Sequence, residues 1–307
     1  MQHIYSIGGG KGGSGKSFIA ASLGVLLANE GKKVVLVDLD LGASNLHTLL
    51  GQKIPQCGLD GFIDKKTDKL EDVALSTTIS NLYLISSVKC SLEIPNLCHA
   101  QKIKLIRAIK RLPFDYIILD LGSGTSFNTL DFFLIAQEGL FVATPEPTAI
   151  ENTFIFIKSV YLRKLKQALS EARMWHIYRD EMAKLSKGAL KSPLELINIL
   201  VHKNSEKGKI LKDVIGSLRF RLILNQFRNH VNHGLGEQLV DVCNRHLYPN
   251  FYLLGNISYD SGVYESIVAR NIFIKKYPYT RTASDLQNVA ECLMEEGQQP
   301  SRFRVSK

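Results

Sequence analysis

Residues Gly10 to Ser17 read Gly-Lys-Gly-Gly-Ser-Gly-Lys-Ser, which fits the phosphate-wrapping pattern G-x-x-x-x-G-K-[ST]. The residue types suit the chemistry. Gly10, Gly12, Gly13 and Gly15 carry no side chain and Ser14 a small one, so backbone N–H groups can close around phosphate oxygens. Lys16 then neutralises the outer phosphates, and the Ser17 hydroxyl is placed to hold Mg²⁺. A helix starting near Lys16 adds the positive end of its dipole. A further lysine, Lys11, stands where the general pattern leaves the residue free. The octapeptide predicts a nucleoside triphosphate as ligand.

Three carboxylates extend this site. Asp38-Leu39-Asp40 ends an apolar run, and strand alternation points both acids to the same side, for management of metal and water. Asp120 closes the run Tyr116-Ile117-Ile118-Leu119, the pattern of a strand that delivers an acid to a Mg²⁺ shell, with Gly122 and Gly124 behind it allowing a mobile loop. Gly8, Gly10 and Gly13 also satisfy G-x-G-x-x-G, with Asp38 near the place of a ribose-binding acid. That dinucleotide reading leaves Lys16 and Ser17 without a task and does not account for the other acids.

The elements that must position these groups are legible as apolar runs. His3 to Ile7 precedes the glycine loop and Phe18 to Asn29 follows it as a helix-forming stretch. Further strand-like runs fall at Val34–Asp38, Leu82–Ile85, Tyr116–Leu121, Leu140–Thr144, Phe220–Asn225 and Phe251–Ile257, with helical periodicity in most of the gaps. Near-continuous apolar strands alternating with helices predict an α/β fold, a mostly parallel sheet with helices on both faces. Ligands in such sheets sit beyond the carboxyl ends of strands, where Gly10, Asp38, Asp120, Pro145 and Asn225 fall.

Residues 163–218 break the alternation. Helical segments follow one another there without a clear strand, which predicts a basic helical insertion within a single 1–307 domain. The stretch holds twelve Lys and Arg against six Asp and Glu, most of the net +9 charge, and contains the only tryptophan, Trp175. Its bland reading is a solvated hairpin and its functional one a docking surface for protein, lipid or nucleic acid. In Ser284–Met294 the stripe Leu286, Val289, Ala290 and Leu293 predicts a helix packed on the sheet, and Arg302, Arg304 and Lys307 read as a polar tail.

With 307 residues and 45% hydrophobic content, the chain can bury one large core. The five cysteines, Cys57, Cys90, Cys98, Cys243 and Cys292, form no C-x-x-C pair, which argues against a disulfide framework or a zinc site. No stretch is apolar enough for a membrane span, and the chain enters a strand within a few residues, so a cytoplasmic location is expected.

Lys11 in the loop, Val37-Asp38-Leu39-Asp40 through Gly42 to Asn45-Leu46, and Asp120 together resemble the MinD and ParA family of P-loop ATPases with a deviant Walker A loop. Within it, Thr144-Pro145-Glu146-Pro147-Thr148-Ala149-Ile150 and Leu224-Asn225 look most like the FlhG (FleN) regulators of flagellar number and placement. The likeness covers nearly the whole chain apart from residues 163–218. It implies an ATP-hydrolysing switch in which two monomers sandwich two ATP molecules and Lys11 reaches the partner's nucleotide. By the same carry-over, Lys16 contacts the β and γ phosphates, Ser17 binds Mg²⁺, Asp38 supports the metal shell, and Asp120 is the switch II acid. Asp40 orients the attacking water, Asn45 supports switch I and Asn225 contacts adenine. The implied partners are a second copy, a protein that stimulates hydrolysis, and a membrane face or DNA met through the basic stretch. The alternative within the family is a partition ATPase of the ParA type that binds DNA non-specifically.

The chain also departs from the family's pattern. With so little sequence ahead of the first strand, the partner-stimulating segment that flagellar members carry there is expected to be missing. The C-terminal helix bears Asp285, Glu291, Glu295 and Glu296 rather than the basic face of a membrane-surface helix. Iron-sulfur carriers on this loop bring cysteines near switch II, and Gly122–Asn128 has none; related tyrosine kinases carry a tyrosine-rich tail, and Ser301–Lys307 has none.

Overall fold

Alternation inside the apolar runs explains why both faces of the sheet must be covered. Val35 and Val37 enter one core with Ile117, Leu119 and Phe141. Val34 and Leu36 enter another with Tyr116, Ile118 and Leu140. The computed structural model describes residues 2–90, 97–171, 205–247 and 250–298, with the isolated positions 179, 195, 198, 199 and 202.

The strands are β1 (His3–Gly8), β2 (Val34–Asp38), β3 (Leu75–Ser76), β4 (Leu82–Ile85), β5 (Tyr116–Asp120), β6 (Glu138–Ala143), β7 (Arg219–Phe227) and β8 (Phe251–Ser258). They form one sheet in the order β3-β4-β2-β5-β1-β6-β7-β8. Every neighbouring pair is parallel except β3 with β4. This is the expected mostly parallel α/β sheet. The two-residue β3 was not foreseen, because so short a run has no periodicity to read; it caps the edge of the sheet beside β4.

The helices are α1 (Lys16–Asn29), α2 (Leu46–Leu49), α3 (Leu59–Ile63), α4 (His99–Ile109), α5 (Phe127–Phe133) and α6 (Pro147–Glu171), then α7 (Ser205–Gly216), α8 (Leu235–His246), α9 (Ser261–Val268), α10 (Phe273–Lys276) and α11 (Arg281–Gln298). α1 and α11 close one face: Ile19, Leu23 and Leu27 meet the core that also takes Leu286, Val289, Ala290 and Leu293, the stripe seen in the sequence. α4, α5, α6 and α7 cover the other face around Phe133, Phe141, Phe156, Phe220 and Phe251.

The described ends of 163–218 belong to this second layer. Its first residues continue α6, where Leu165 and Leu169 are fully buried, and α7 contributes Leu211 and Ile215 to the same core. Trp175 and most of the stretch between lie outside the described residues, as do Arg302, Arg304 and Lys307. Arg163, read as the first cation of that basic stretch, is a core tie. Its Nε and Nη2 donate to the Asp131 carboxylate at 2.6 and 2.7 Å, Gln167 Nε2 donates at 2.9 Å, and the Lys102 ammonium completes the cluster. Burial by itself raises the Asp131 pKa, but the bonds and charges of Arg163 and Lys102 outweigh it and hold the carboxyl below the usual range. The cluster fastens α4, α5 and α6 together, with two cations sharing one buried carboxylate.

Candidate nucleotide-binding site

The loop after β1 and the carboxyl ends of β2, β5 and β7 converge on one cavity of about 540 Å³. Gly12, Gly13, Gly15, Lys16, Ser17, Asp40, Asn45 and Asn225 all line it, so the structure brings together residues spread over more than two hundred positions. The size suits a nucleotide-sized ligand. The carboxyl ends of parallel strands are where a sheet of this kind leaves room for one.

The loop is held from outside. Gly15 sits at φ +88°, and a Cβ there would lie 2.1 Å from Asn225 Nδ2, so only glycine fits this turn into α1. Asn225 Nδ2 donates to the Ser14 carbonyl at 2.9 Å, and Gln226 Nε2 donates to the Gly13 carbonyl at 3.0 Å. The Lys11 carbonyl takes a bond from Lys16 Nζ at 3.3 Å. With these carbonyls engaged, what the loop offers a ligand is its N–H groups.

Lys16 is buried at the mouth of α1, and burial lowers its pKa, although the charges of Asp120 and Asp40 act in the opposite direction. Phosphate oxygens would supply the compensation that an ammonium in this place lacks. Asp120 is fully buried, its carboxylate bonded by the Ser17 hydroxyl, and its Oδ1 has no hydrogen-bond partner. Burial first, and then the charge of Asp38, push its pKa up to about 8. An orphaned buried carboxylate oxygen beside a serine hydroxyl fits a divalent cation. Among the described residues no group of three or more His, Cys, Asp or Glu could hold a metal ion. Mg²⁺ held by Ser17 and Asp120 would therefore take its other ligands from phosphates and water.

Asp38 is placed differently. Ser44 Oγ donates to its Oδ2 at 2.6 Å and the Leu46 N–H at 3.3 Å, while the Asp40 N–H and Ser87 Oγ donate to Oδ1 at 3.1 and 3.4 Å. The carboxylate thus anchors the 40–46 turn. Burial raises its pKa to about 6 against these hydrogen bonds. Asp40 lines the cavity beside Gly122, whose added Cβ would lie 3.0 Å from Asp40 Oδ1. Asn45 lines it too, with Nδ2 donating to the Ala43 carbonyl at 2.7 Å.

Lys11 is not extended outward. Its Nζ lies 3.1 Å from the Glu146 carboxylate and 3.4 Å from the Thr148 hydroxyl, on the rim of the loop. Sequence reasoning noticed Glu146 and Thr148 only as part of a motif. It missed Ser44, Ser87 and Gln226, and also Val263, Tyr264 and Ile267 of α9, which form the apolar wall opposite the loop. The α9 residues have a helical spacing that was available to reading; the serines and Gln226 carry no pattern.

The raised carboxyls make a pH prediction. Asp120 and Asp38 bind protons more tightly folded than unfolded, since about 8 and about 6 stand above the ordinary 3.8. Their burial therefore costs the ligand-free chain stability progressively as pH rises from about 4 to about 8. Mg²⁺–nucleotide takes the ionised form of Asp120, so its affinity should rise by up to about tenfold per pH unit between about pH 6 and about pH 8, with proton release. Calorimetric titration of Mg²⁺–ADP in buffers of different ionisation enthalpy reads both; a flat affinity would contradict the assignment.

Comparison with known proteins agrees with this geometry. The model of the CobQ/CobB/MinD/ParA nucleotide binding domain matches residues 5–271. The septum site-determining protein MinD of a Synechocystis species is 34% identical over 155 residues, 50% of this chain and 57% of the relative. The antiactivator FleN of Pseudomonas aeruginosa is 31% identical over 157 residues, 50% of this chain and 55% of the relative. The chain thus spans a little over half the length of these curated relatives. Among solved structures, MinD of Pyrococcus horikoshii complexed with Mg-ADP superposes with a TM-score of 0.63 at 22% identity, covering 97% of this chain and 98% of that one. A plasmid partition protein of Borrelia burgdorferi bound to AMPPNP gives 0.60 at 18% identity, covering 96% and 100%. No helix among the described residues is long and apolar enough to cross a membrane. With a family match that spans most of the chain and a phosphate loop built at the expected strand end, this chain belongs to the CobQ/CobB/MinD/ParA nucleotide binding domain family.

Proposed function

We propose that the chain is a Mg²⁺-dependent, slowly hydrolysing ATP switch whose output is a two-nucleotide homodimer, and that it sets the number or placement of a polar structure such as a flagellum. The observation that carries the switch is Asp120: buried, bonded by Ser17, close to the Lys16 charge and unpartnered at Oδ1. That arrangement is unfavourable empty and favourable when a cation and phosphates arrive. Mg²⁺, where bound, supplies charge neutralisation for the phosphates.

The chain's own residues then have separate tasks. The loop from Gly10 to Ser17 and Lys16 hold the phosphates, Asp40 orients water, and Asp38 keeps the 40–46 turn in register. Asn225 serves the loop through Ser14 and, lining the same cavity, would contact adenine. Lys11, exchanging Glu146 for a phosphate on the second copy, makes hydrolysis depend on dimerisation. An exposed pair of this kind is worth little, about 1 kcal/mol or less, so a triphosphate competes for Lys11 with ease.

The similarity to FleN and the stretch Thr144–Ile150 favour flagellar control, under which a partner protein would stimulate hydrolysis. Static light scattering with ATP tests the reading. The parent should dimerise with ATP and stay monomeric with ADP, and Lys11→Ala should bind ATP yet remain monomeric; a Lys11→Ala chain that dimerises like the parent sinks the shared-site mechanism. ATP-dependent, steeply salt-sensitive sedimentation with non-specific DNA would transfer the cellular role to DNA partition.

A further inference from the structure

We propose that the hollow between the end of α2 and the α9–α10 corner is a second anion site, which holds a phosphate group outside the nucleotide cavity. Its volume is about 420 Å³, and Thr78, Arg270, Asn271, Lys275 and Lys276 supply every polar side chain that lines it. None of the lining residues is acidic. Among the described residues, none of the three cations has a carboxylate at ion-pair distance. Lys276 rests 5.1 Å from the Tyr277 ring centre. A guanidinium, two ammonium groups, a hydroxyl and an amide around one hollow form the donor set of a phosphate site. The hollow has room for one phosphate with a small substituent.

Backbone geometry at Arg270 is a second observation. Arg270 follows α9 at φ +50°, its N–H bonded to the Ile267 carbonyl at 3.1 Å, and the Asn271 N–H bonded to the Ser266 carbonyl at 2.8 Å. That is the helix-ending position where glycine is most stable, yet here it carries a long cationic side chain. Lys65 after α3 holds the same position at φ +61°, so what sets Arg270 apart is its place on the wall of the hollow. The charge is also felt inward: the buried His47 of α2 has its proton affinity lowered first by burial and then by Arg270.

The hollow shares walls with the nucleotide cavity. α2 gives Thr48 and Leu49 to that cavity, and α9 gives Val263, Tyr264 and Ile267. Leu50 and Gly51 on one side and Arg270 on the other line the anion hollow. The two walls touch backbone to backbone, since a Cβ on Gly51, at φ +64°, would lie 2.6 Å from the Arg270 carbonyl oxygen. An anion that draws Arg270, Lys275 and Lys276 together therefore acts on both walls at once. Anion and nucleotide affinities should change by the same factor in each other's presence. Only this coupling rests on the nucleotide reading above; occupancy of the hollow does not.

The test is calorimetric titration of the whole chain with inorganic pyrophosphate, alone and with Mg²⁺–ADP saturating the phosphate loop. One pyrophosphate should still bind with Mg²⁺–ADP present. Lys275→Gln combined with Lys276→Gln should weaken it about tenfold or more. Arg270→Gly should do the same while leaving the melting temperature at or above the parent's, so that lost binding is not lost folding. If pyrophosphate fails to bind, sedimentation with phosphatidic acid in phosphatidylcholine vesicles, lost in the same variants, assigns the site to a lipid headgroup. Pyrophosphate that competes fully with Mg²⁺–ADP, affinity unmoved by the variants, or no binding of either probe would each overturn the proposal. Unaltered Mg²⁺–ADP affinity in the presence of bound pyrophosphate removes the coupling and leaves the site.

Discussion

Replacing Lys16 with alanine should weaken Mg²⁺–ATP binding by at least about a hundredfold, on the order of 3 kcal/mol, with the melting temperature of the ligand-free chain little changed. The asymmetry follows from burial. In the ligand-free chain the Lys16 ammonium is already poorly solvated, its pKa lowered by burial, and its hydrogen bond to the Lys11 carbonyl is long at 3.3 Å. Losing it sacrifices little. With nucleotide bound, the same ammonium would face phosphate charge inside a protein wall, where a charge-assisted bond is strongest. Titration with a fluorescent ATP analogue measures the first effect and thermal unfolding the second. A variant with parental affinity would show that the phosphates lie elsewhere, and a collapse in melting temperature would make Lys16 a structural residue first.

Asp40→Ala should slow hydrolysis by about two to four orders of magnitude, the usual range for losing a positioned acid–base group, while leaving ATP binding intact. Asp40 lines the cavity beside Gly122, on a turn that Asp38 holds through the Asp40 N–H. Removing its side chain leaves that backbone bond in place, so the turn should survive. The chain would then bind ATP, dimerise and fail to reset. Light scattering should show a dimer that persists long after the parent has returned to monomer, and phosphate release should be near background. A monomer under those conditions would separate Asp40 from the cycle.

How far these expectations were readable depends on where each residue finds its partners. The glycine loop, Lys16, Ser17 and the acid ending β5 are local patterns, legible because one strand, one turn and one helix create the geometry. β1, β2, β5 and β6 were equally plain, since a strand buried on both faces has no polar face to blur it. The supports were opaque. Ser44 and Ser87, which clamp Asp38, and Gln226, which holds Gly13, are single polar residues whose meaning appears only when the sheet brings them close. Lys11 shows the same limit from another side: its type and place were visible, while its tie to Glu146 depends on the loop after β6. Arg163 was read as part of a basic surface, and the Asp131 carboxylate on another helix ties it, half-buried, into the packing of α5 on α6.

The bond from Asn225 to the Ser14 carbonyl spans 211 residues, and this orders events in time. During synthesis, the whole glycine motif and all three acids emerge long before β7. Until β7 docks beside β6, the Gly15 turn lacks the side chain that wedges it and the Gly13 carbonyl lacks its clasp. A nucleotide should therefore bind the amino-terminal half of the nascent chain weakly, and tightly only once β7 has joined the sheet. Ligand capture then reports on how much of the sheet has assembled, and chains arrested before residue 225 should hold ATP more weakly than the whole chain although every residue of the motif is present.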